Sequence, residues 1–252
     1  MTPRREPSLD MVGRLIERQL RCLVLDGPFP CLGARSAVRN DSYVFAVHPD
    51  LFAPGAVEAV AEDLRRFAEV RLRLGRLYSC IVSFVEPRTI PDEQAWDRQV
   101  WAFLQALHDA DDAPWDARFS ADPESGDFAL SLAGVGHLVV TLYPGATRYA
   151  RRFAWPTLVF NPLEQDTDAF PDERDFARFQ HLIRARDARL QGQVNPSLPA
   201  TRDESQAPGF SGAPVPDTWR CPLVVQNREG AIGEFRDRGA ARSPTPRSAR
   251  GT

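Results

Sequence analysis

Residues 128–143 read Phe128-Ala129-Leu130-Ser131-Leu132-Ala133-Gly134-Val135-Gly136-His137-Leu138-Val139-Val140-Thr141-Leu142-Tyr143. Two apolar runs, 128–132 and 137–143, flank Gly134-Val135-Gly136, the pattern of an antiparallel hairpin. Working downstream, 157–160 is a further strand stopped by Asn161-Pro162, and Phe176, Phe179, Ile183 and Leu190 mark one face of a helix over 172–190. Upstream, Pro91 opens a helix in which Trp96, Val100, Phe103, Leu104 and Leu107 share a face, and 77–85 reads as a buried strand closed by Pro87. Pro54-Gly55 introduces a helix carrying Val57, Val60, Ala61, Leu64 and Phe67 and ended by Gly75. A strand over 43–48 and a short helical turn over 31–38 precede it. The first helix spans 9–25, with Ser8 as its N-cap. Helices alternate with strands while one hairpin is local, which predicts a single α+β domain with a mixed, mainly antiparallel sheet and packed helices.

The chain has 252 residues, 43% of them hydrophobic, enough for one sizeable core. Beyond residue 191 the composition turns to Pro, Ser, Gly and Asn, so this segment orders only by wrapping on the body. Residues 1–225 form the expected domain. Residues 226–252 are a polar, Arg-rich tail, and 242–252, with three Arg and no acid, are expected to be disordered. The formal charge is −3 and all 31 basic residues are Arg. That balance offers nucleic acid and anionic lipid no global attraction. No apolar run approaches the length of a membrane span, and charges in 10–21 interrupt any secretory signal, so the protein is expected in the cytoplasm. Cys22, Cys31, Cys80 and Cys221 are scattered, without zinc or redox spacing. No Walker loop, dinucleotide fingerprint, zinc-protease helix or nucleophile elbow occurs.

Four local constellations carry chemistry. In Phe29-Pro30-Cys31-Leu32-Gly33-Ala34-Arg35, a thiol just before a short helix has its thiolate favoured by backbone N–H groups, while the plainer reading is a small buried thiol beside a Pro turn. Between Trp101 and Asp109, apolar and aromatic residues surround His108, either as a pocket for a flat cofactor ligated by imidazole or as a lone His at a helix end. Arg148, Arg151 and Arg152, beside Tyr143, form a clamp for carboxylate or propionate groups or a solvated charged surface. Phe210-Ser211-Gly212 and Trp219-Arg220-Cys221-Pro222 either anchor the tail on the body or form a lid.

Together these pieces resemble the YqcI/YcgG family over roughly residues 29–223. The resemblance rests on Phe29-Pro30-Cys31, Leu104-Gln105-Ala106-Leu107-His108 with Asp111 and Trp115, Arg148 with Arg151-Arg152-Phe153, and Phe160-Asn161-Pro162 with Gln165. It continues through Ile183-Arg184-Ala185-Arg186-Asp187, Asn195-Pro196 and the Phe210 and Trp219 motifs. It implies a b-type haem protein that hydroxylates a guanidine or amine nitrogen of a small, arginine-like metabolite, fed by an electron donor or peroxide. A degenerate member acting as a non-catalytic haem or small-molecule binder is the alternative. Two positions depart from the family pattern: Leu142-Tyr143-Pro144 stands where relatives read Leu-His-Pro, and Phe160-Asn161-Pro162-Leu163 where many read Phe-Asn-Pro-His. On this resemblance His108, or failing it Tyr143, is expected on iron. Arg148, Arg151 and Arg152 hold propionates, Cys31 and Trp101 line the pocket, and Asp109, Asp111 and Asp112 meet a substrate guanidinium. The oligomeric state, with a homodimer as one option, is left open by the letters.

Overall fold

A computed structural model describes residues 9–86, 90–169, 172–197, 204–216 and 218–226. The expected tail after residue 226 and the Ser8 cap lie outside the described residues. The helices are α1 (Leu9–Leu25), α2 (Leu32–Arg39), α3 (Ala56–Val70), α4 (Glu93–Ala110), α5 (Glu164–Ala169) and α6 (Glu173–Gln191). The strands are β1 (Tyr43–His48), β2 (Ser79–Phe84), β3 (Leu130–Leu132), β4 (Val135–Leu142) and β5 (Thr157–Pro162). They form one sheet in the order β1-β2-β5-β4-β3. β1 and β2 are parallel, with α3 in the crossover that a parallel pair requires. The other pairings are antiparallel, so the expected α+β domain with a mainly antiparallel mixed sheet is what forms.

Helix ends follow local chemistry. Asp92 and Asp172 open α4 and α6, their carboxylates accepting the N–H groups of Ala95 at 2.7 Å and Arg174 at 2.8 Å. Gly192, at φ 86°, closes α6 in the left-handed conformation that glycine tolerates. α3 stops at Val70, earlier than Gly75 suggested, because a 3-10 turn at Arg71–Arg73 carries the chain onward.

The hairpin differs from its sequence reading in register. Ala133 (φ 51°) and Gly134 (φ 72°) make a two-residue turn, and Val135 and Gly136 pair with Leu132 and Ser131. The tight two-residue connection matches strand twist better than a longer glycine loop does. Gly136 is needed for space: a Cβ there would lie 2.3 Å from Phe119 Cδ2 and 3.0 Å from Ala129 Cβ. β5 likewise runs past its expected stop, and Pro162, having no N–H to give, sits at the strand's last rung opposite His137.

Alternation along β2, β4 and β5 divides the interior in two. Cys80, Val82, Phe84, Val139, Leu158 and Phe160 face α3 and α4, in a core that also holds Phe67, Trp96, Phe103 and Leu104. Ile81 and Leu142 face the other way, onto Ile16, Leu20 and Val24 of α1 and Val38 of α2. The chain beyond α6 returns over the first of these faces. Phe210 stacks on Trp101 at 5.5 Å, Trp219 lies 5.8 Å from the same indole, and Thr141 Oγ1 donates toward the carbonyls of Phe210 and Ser211. The tail motifs therefore dock on the body.

Two substitutions three positions apart should act with opposite sign. Ala133→Asn gives the turn its preferred Asn-Gly pair and should raise stability by about 0.5–1 kcal/mol, since non-glycine residues other than Asn and Asp resist positive φ. Gly136→Ala should lower it by about 1–3 kcal/mol through overpacking against Phe119. Urea denaturation midpoints read both.

Candidate ligand cavity

On the α1/α2 side the sheet is incompletely covered. Between its floor and α1, α2 and α6 lies a cavity of about 320 Å³, within the range of small-molecule sites. Ile81, Leu138, Val140, Leu142 and Val159 form the floor. Along β4 the stretch from Leu138 to Leu142 is about 13 Å long at the usual strand rise. Leu20, Val24 and Val38 wall one flank, and Phe176, Phe179 and Ile183 the other. The spacing of these last three is why α6 turns one apolar stripe inward.

The two ends differ chemically. At one, Ser79 Oγ donates to Asn161 Oδ1 at 2.7 Å and Gln165 Oε1 accepts the Tyr78 N–H at 2.6 Å. Tyr78 OH in turn donates to Glu164 at 3.0 Å. At the other end stand Arg148 and Arg151. Arg148 is buried and donates to Asp187 Oδ2 at 2.6 Å, the same oxygen accepting the Asn195 N–H at 2.7 Å. Arg151 is half-buried as a residue, but its guanidinium lies deep and donates to the carbonyl oxygens of Thr141 (3.1 Å), Gly209 (2.9 Å) and Phe210 (3.3 Å). Among the described residues no carboxylate forms an ion pair with it. Burial, then repulsion by Arg148, pull its pKa down to about 10, while Cys31 and Asp187 act in the opposite direction. The group stays charged at neutral pH, so this end of the cavity favours an anion.

Of the three clustered arginines, the fold brings two together. Tyr149–Arg151 is a 3-10 turn, in which residues three apart eclipse, so Arg148 and Arg151 reach the cavity while Arg152 turns away. Arg152 lies over the Tyr149 ring at 4.9 Å and donates to Ala146 O. Cys31 also lines the cavity, as expected; it is the N-cap of α2, its Sγ accepting the Ala34 N–H at 3.4 Å.

The remaining expected site residues lie elsewhere. His108 is buried near the C-terminal end of α4, on the face opposite the cavity, its ring edge-on to Trp115 and its Nε2 accepting the Gln226 N–H at 3.1 Å. Tyr143 also points to that face and stacks on Trp96 at 5.0 Å. Its hydroxyl is buried without a hydrogen-bond partner among the described residues, and burial, with Glu93 and Asp92 adding to it, pushes its pKa up to about 12. Trp96 and His108 are about 18 Å apart along the helix, so Tyr143 and His108 do not share one pocket. Trp101 anchors Phe210. Asp109 is exposed and accepts from Gln105 and Gln226, Asp111 caps the exit of α4 and accepts the Ala133 N–H at 3.0 Å, and Asp112 is exposed. The amphipathic pattern that put His108 on an inward face was right; which sheet face that helix covers is a tertiary matter. Sequence reasoning passed over Ser79, Gln180 and the role of Asp187, whose polar side chains show no periodic signal.

The donor set fits a haem in part. No three His, Cys, Asp or Glu side chains converge as a metal site among the described residues, but iron in a porphyrin needs only one or two protein donors. The cavity offers apolar walls, a buried cation for a propionate, and the Cys31 sulfur, with no imidazole on its wall among the described residues.

A model of the YqcI/YcgG family matches residues 20–224 of the chain. The uncharacterised protein YcgG of Bacillus subtilis (strain 168) is 25% identical over 175 residues, covering 68% of this chain and 69% of its own. No solved structure matches.

Two outcomes test this electrostatic description. Arg148→Met leaves Asp187 buried and unpaired and should cost about 3–5 kcal/mol, most of it recovered when Asp187→Leu is added. His137, buried between Phe67 and Phe160, has its pKa pulled by burial from 6.5 down to about 4. The unfolded chain therefore takes up this proton first, and the stability it contributes is lost as pH falls from 6.5 toward 4. In His137→Leu the urea midpoint should fall less over that interval than in the wild type.

Proposed function

The chain belongs to the YqcI/YcgG family, and from that premise we propose that it is a haem-dependent oxygenase of small nitrogenous metabolites, with haem b in the cavity between the sheet and α1, α2 and α6. The observation that carries the reading is the pairing of apolar walls with one deep guanidinium, Arg151, that has no carboxylate of its own among the described residues. Planar, largely apolar molecules bearing carboxylates need that combination. Arg151 and, beside it, Arg148 would hold a propionate. Haem, when bound, supplies the activation of oxygen or peroxide that amino-acid side chains lack.

The chain's own groups would do the rest. Val140, Val159, Phe179 and Ile183 exclude water from the reacting centre. Asp187, already paired with Arg148, is the carboxylate on the cavity wall among the described residues and is the proposed partner that a cationic substrate nitrogen would share, in place of Asp109, Asp111 and Asp112. Asn161, Ser79 and Gln165 present amide and hydroxyl groups at the far end, where a substrate's polar tail would bind.

One observation favours the second reading, a haem or small-molecule binder without turnover. Leu163 stands on the cavity wall at the position where many members of the resembled family read histidine, so an imidazole is replaced there by an inert side chain.

The test is titration of the full chain with haemin, read by the Soret band. Saturable uptake is expected, with about tenfold or weaker affinity in Ile183→Trp, which fills the cavity. Absence of uptake by the wild type would end the haem reading. Uptake without hydroxylation of arginine-like substrates under reductant and oxygen, or under peroxide, would select the non-catalytic reading.

A further inference from the structure

Resting on the haem reading above, we propose that Cys31 Sγ is the protein donor to the iron, in place of His108 or Tyr143. At the start of α2, Cys31 has extended backbone angles (φ −71°, ψ 110°) and its side chain accepts the Ala34 N–H. Capping alone does not call for sulfur at this position, since Ser, Thr, Asp and Asn cap helices better. What sulfur adds is a thiolate, and the N–H groups and dipole of a helix N-terminus are the surroundings that stabilise one.

Gly33 supplies the second observation. It lies within α2 with ordinary helical backbone, where glycine is disfavoured, and it lines the cavity. A Cβ at Gly33 would sit 3.8 Å from Cys31 Sγ and 3.7 Å from Phe179 Cζ. At those distances a Cβ would be in ordinary contact with both, so its absence leaves that much more room between the sulfur and Phe179. Charge agrees with this placement: the Arg151 cation interacts favourably with an anionic Cys31. The competing donors are committed elsewhere. Tyr78 OH donates to Glu164, Cys80 is buried in the core on the opposite face, and His108 and Tyr143 lie on that same face. On ligation the thiol gives its proton to water and a sulfur lone pair forms the bond to iron, with no change of oxidation state.

The test uses the full chain reconstituted with haemin, then reduced under carbon monoxide. The wild type should give the red-shifted Soret band of a thiolate-ligated ferrous haem, and His108→Ala and Tyr143→Phe should leave it in place. Cys31→Ser preserves the helix cap, so its circular dichroism should match the wild type, while the red-shifted band is lost and haemin affinity falls by about tenfold or more. Gly33→Leu, which fills that room and improves helix propensity, should weaken haemin binding without lowering the melting temperature. An unchanged spectrum in Cys31→Ser would overturn the Cys31 assignment and leave the haem reading standing. No uptake by the wild type would overturn both.

Discussion

A strand buried on both faces must send every second residue each way, and the whole molecule depends on how β2, β4 and β5 obey that rule. One parity builds the aromatic core under α3 and α4. The other supplies a smaller core under α1 and α2 and the floor of the cavity. A shift of one residue in β4 would exchange the two sets, carrying His137 and Val139 into the cavity and Leu138 and Val140 into the aromatic core. The two-residue turn at Ala133-Gly134 and the bond from the Leu163 N–H to Gly136 O at 2.9 Å hold the register.

The cavity exists because its helical roof comes from two distant parts of the chain. α1 and α2 cover one flank and α6 the other, and the residues between them on the sheet are aliphatic. At one end a buried cation is held by carbonyl oxygens, an arrangement in which dipoles compensate a charge only in part. That same cation fastens the segment at Gly209 and Phe210, so the returning chain and the cavity share one guanidinium. The docking of Phe210 and Trp219 on Trp101 thus supports the site indirectly, through the position of Arg151.

Much of the fold was legible in the letters. The helical faces of α1, α3 and α4, the strand at 43–48 and the strand read over 77–85, which forms as Ser79–Phe84, all follow from local periodicity and turn chemistry. The site was legible in fragments. Cys31, Arg148 and Arg151 were singled out and do meet at one cavity. His108 and Tyr143 were singled out for their chemistry and lie on the other face of the sheet, where a buried imidazole and a buried phenol serve a core as well as a site.

The sequence by itself determined which residues are inward, because apolar spacing of two or of three to four residues selects a face whatever lies across from it. It grouped Arg148, Arg151 and Arg152, and the 3-10 turn at Tyr149–Arg151 then selected the first two for the cavity. Only the tertiary structure decided what each inward face meets. That depends on contacts between segments over a hundred residues apart, such as the bond from Arg186 of α6 to the Phe29 carbonyl ahead of α2, and no local pattern carries such information.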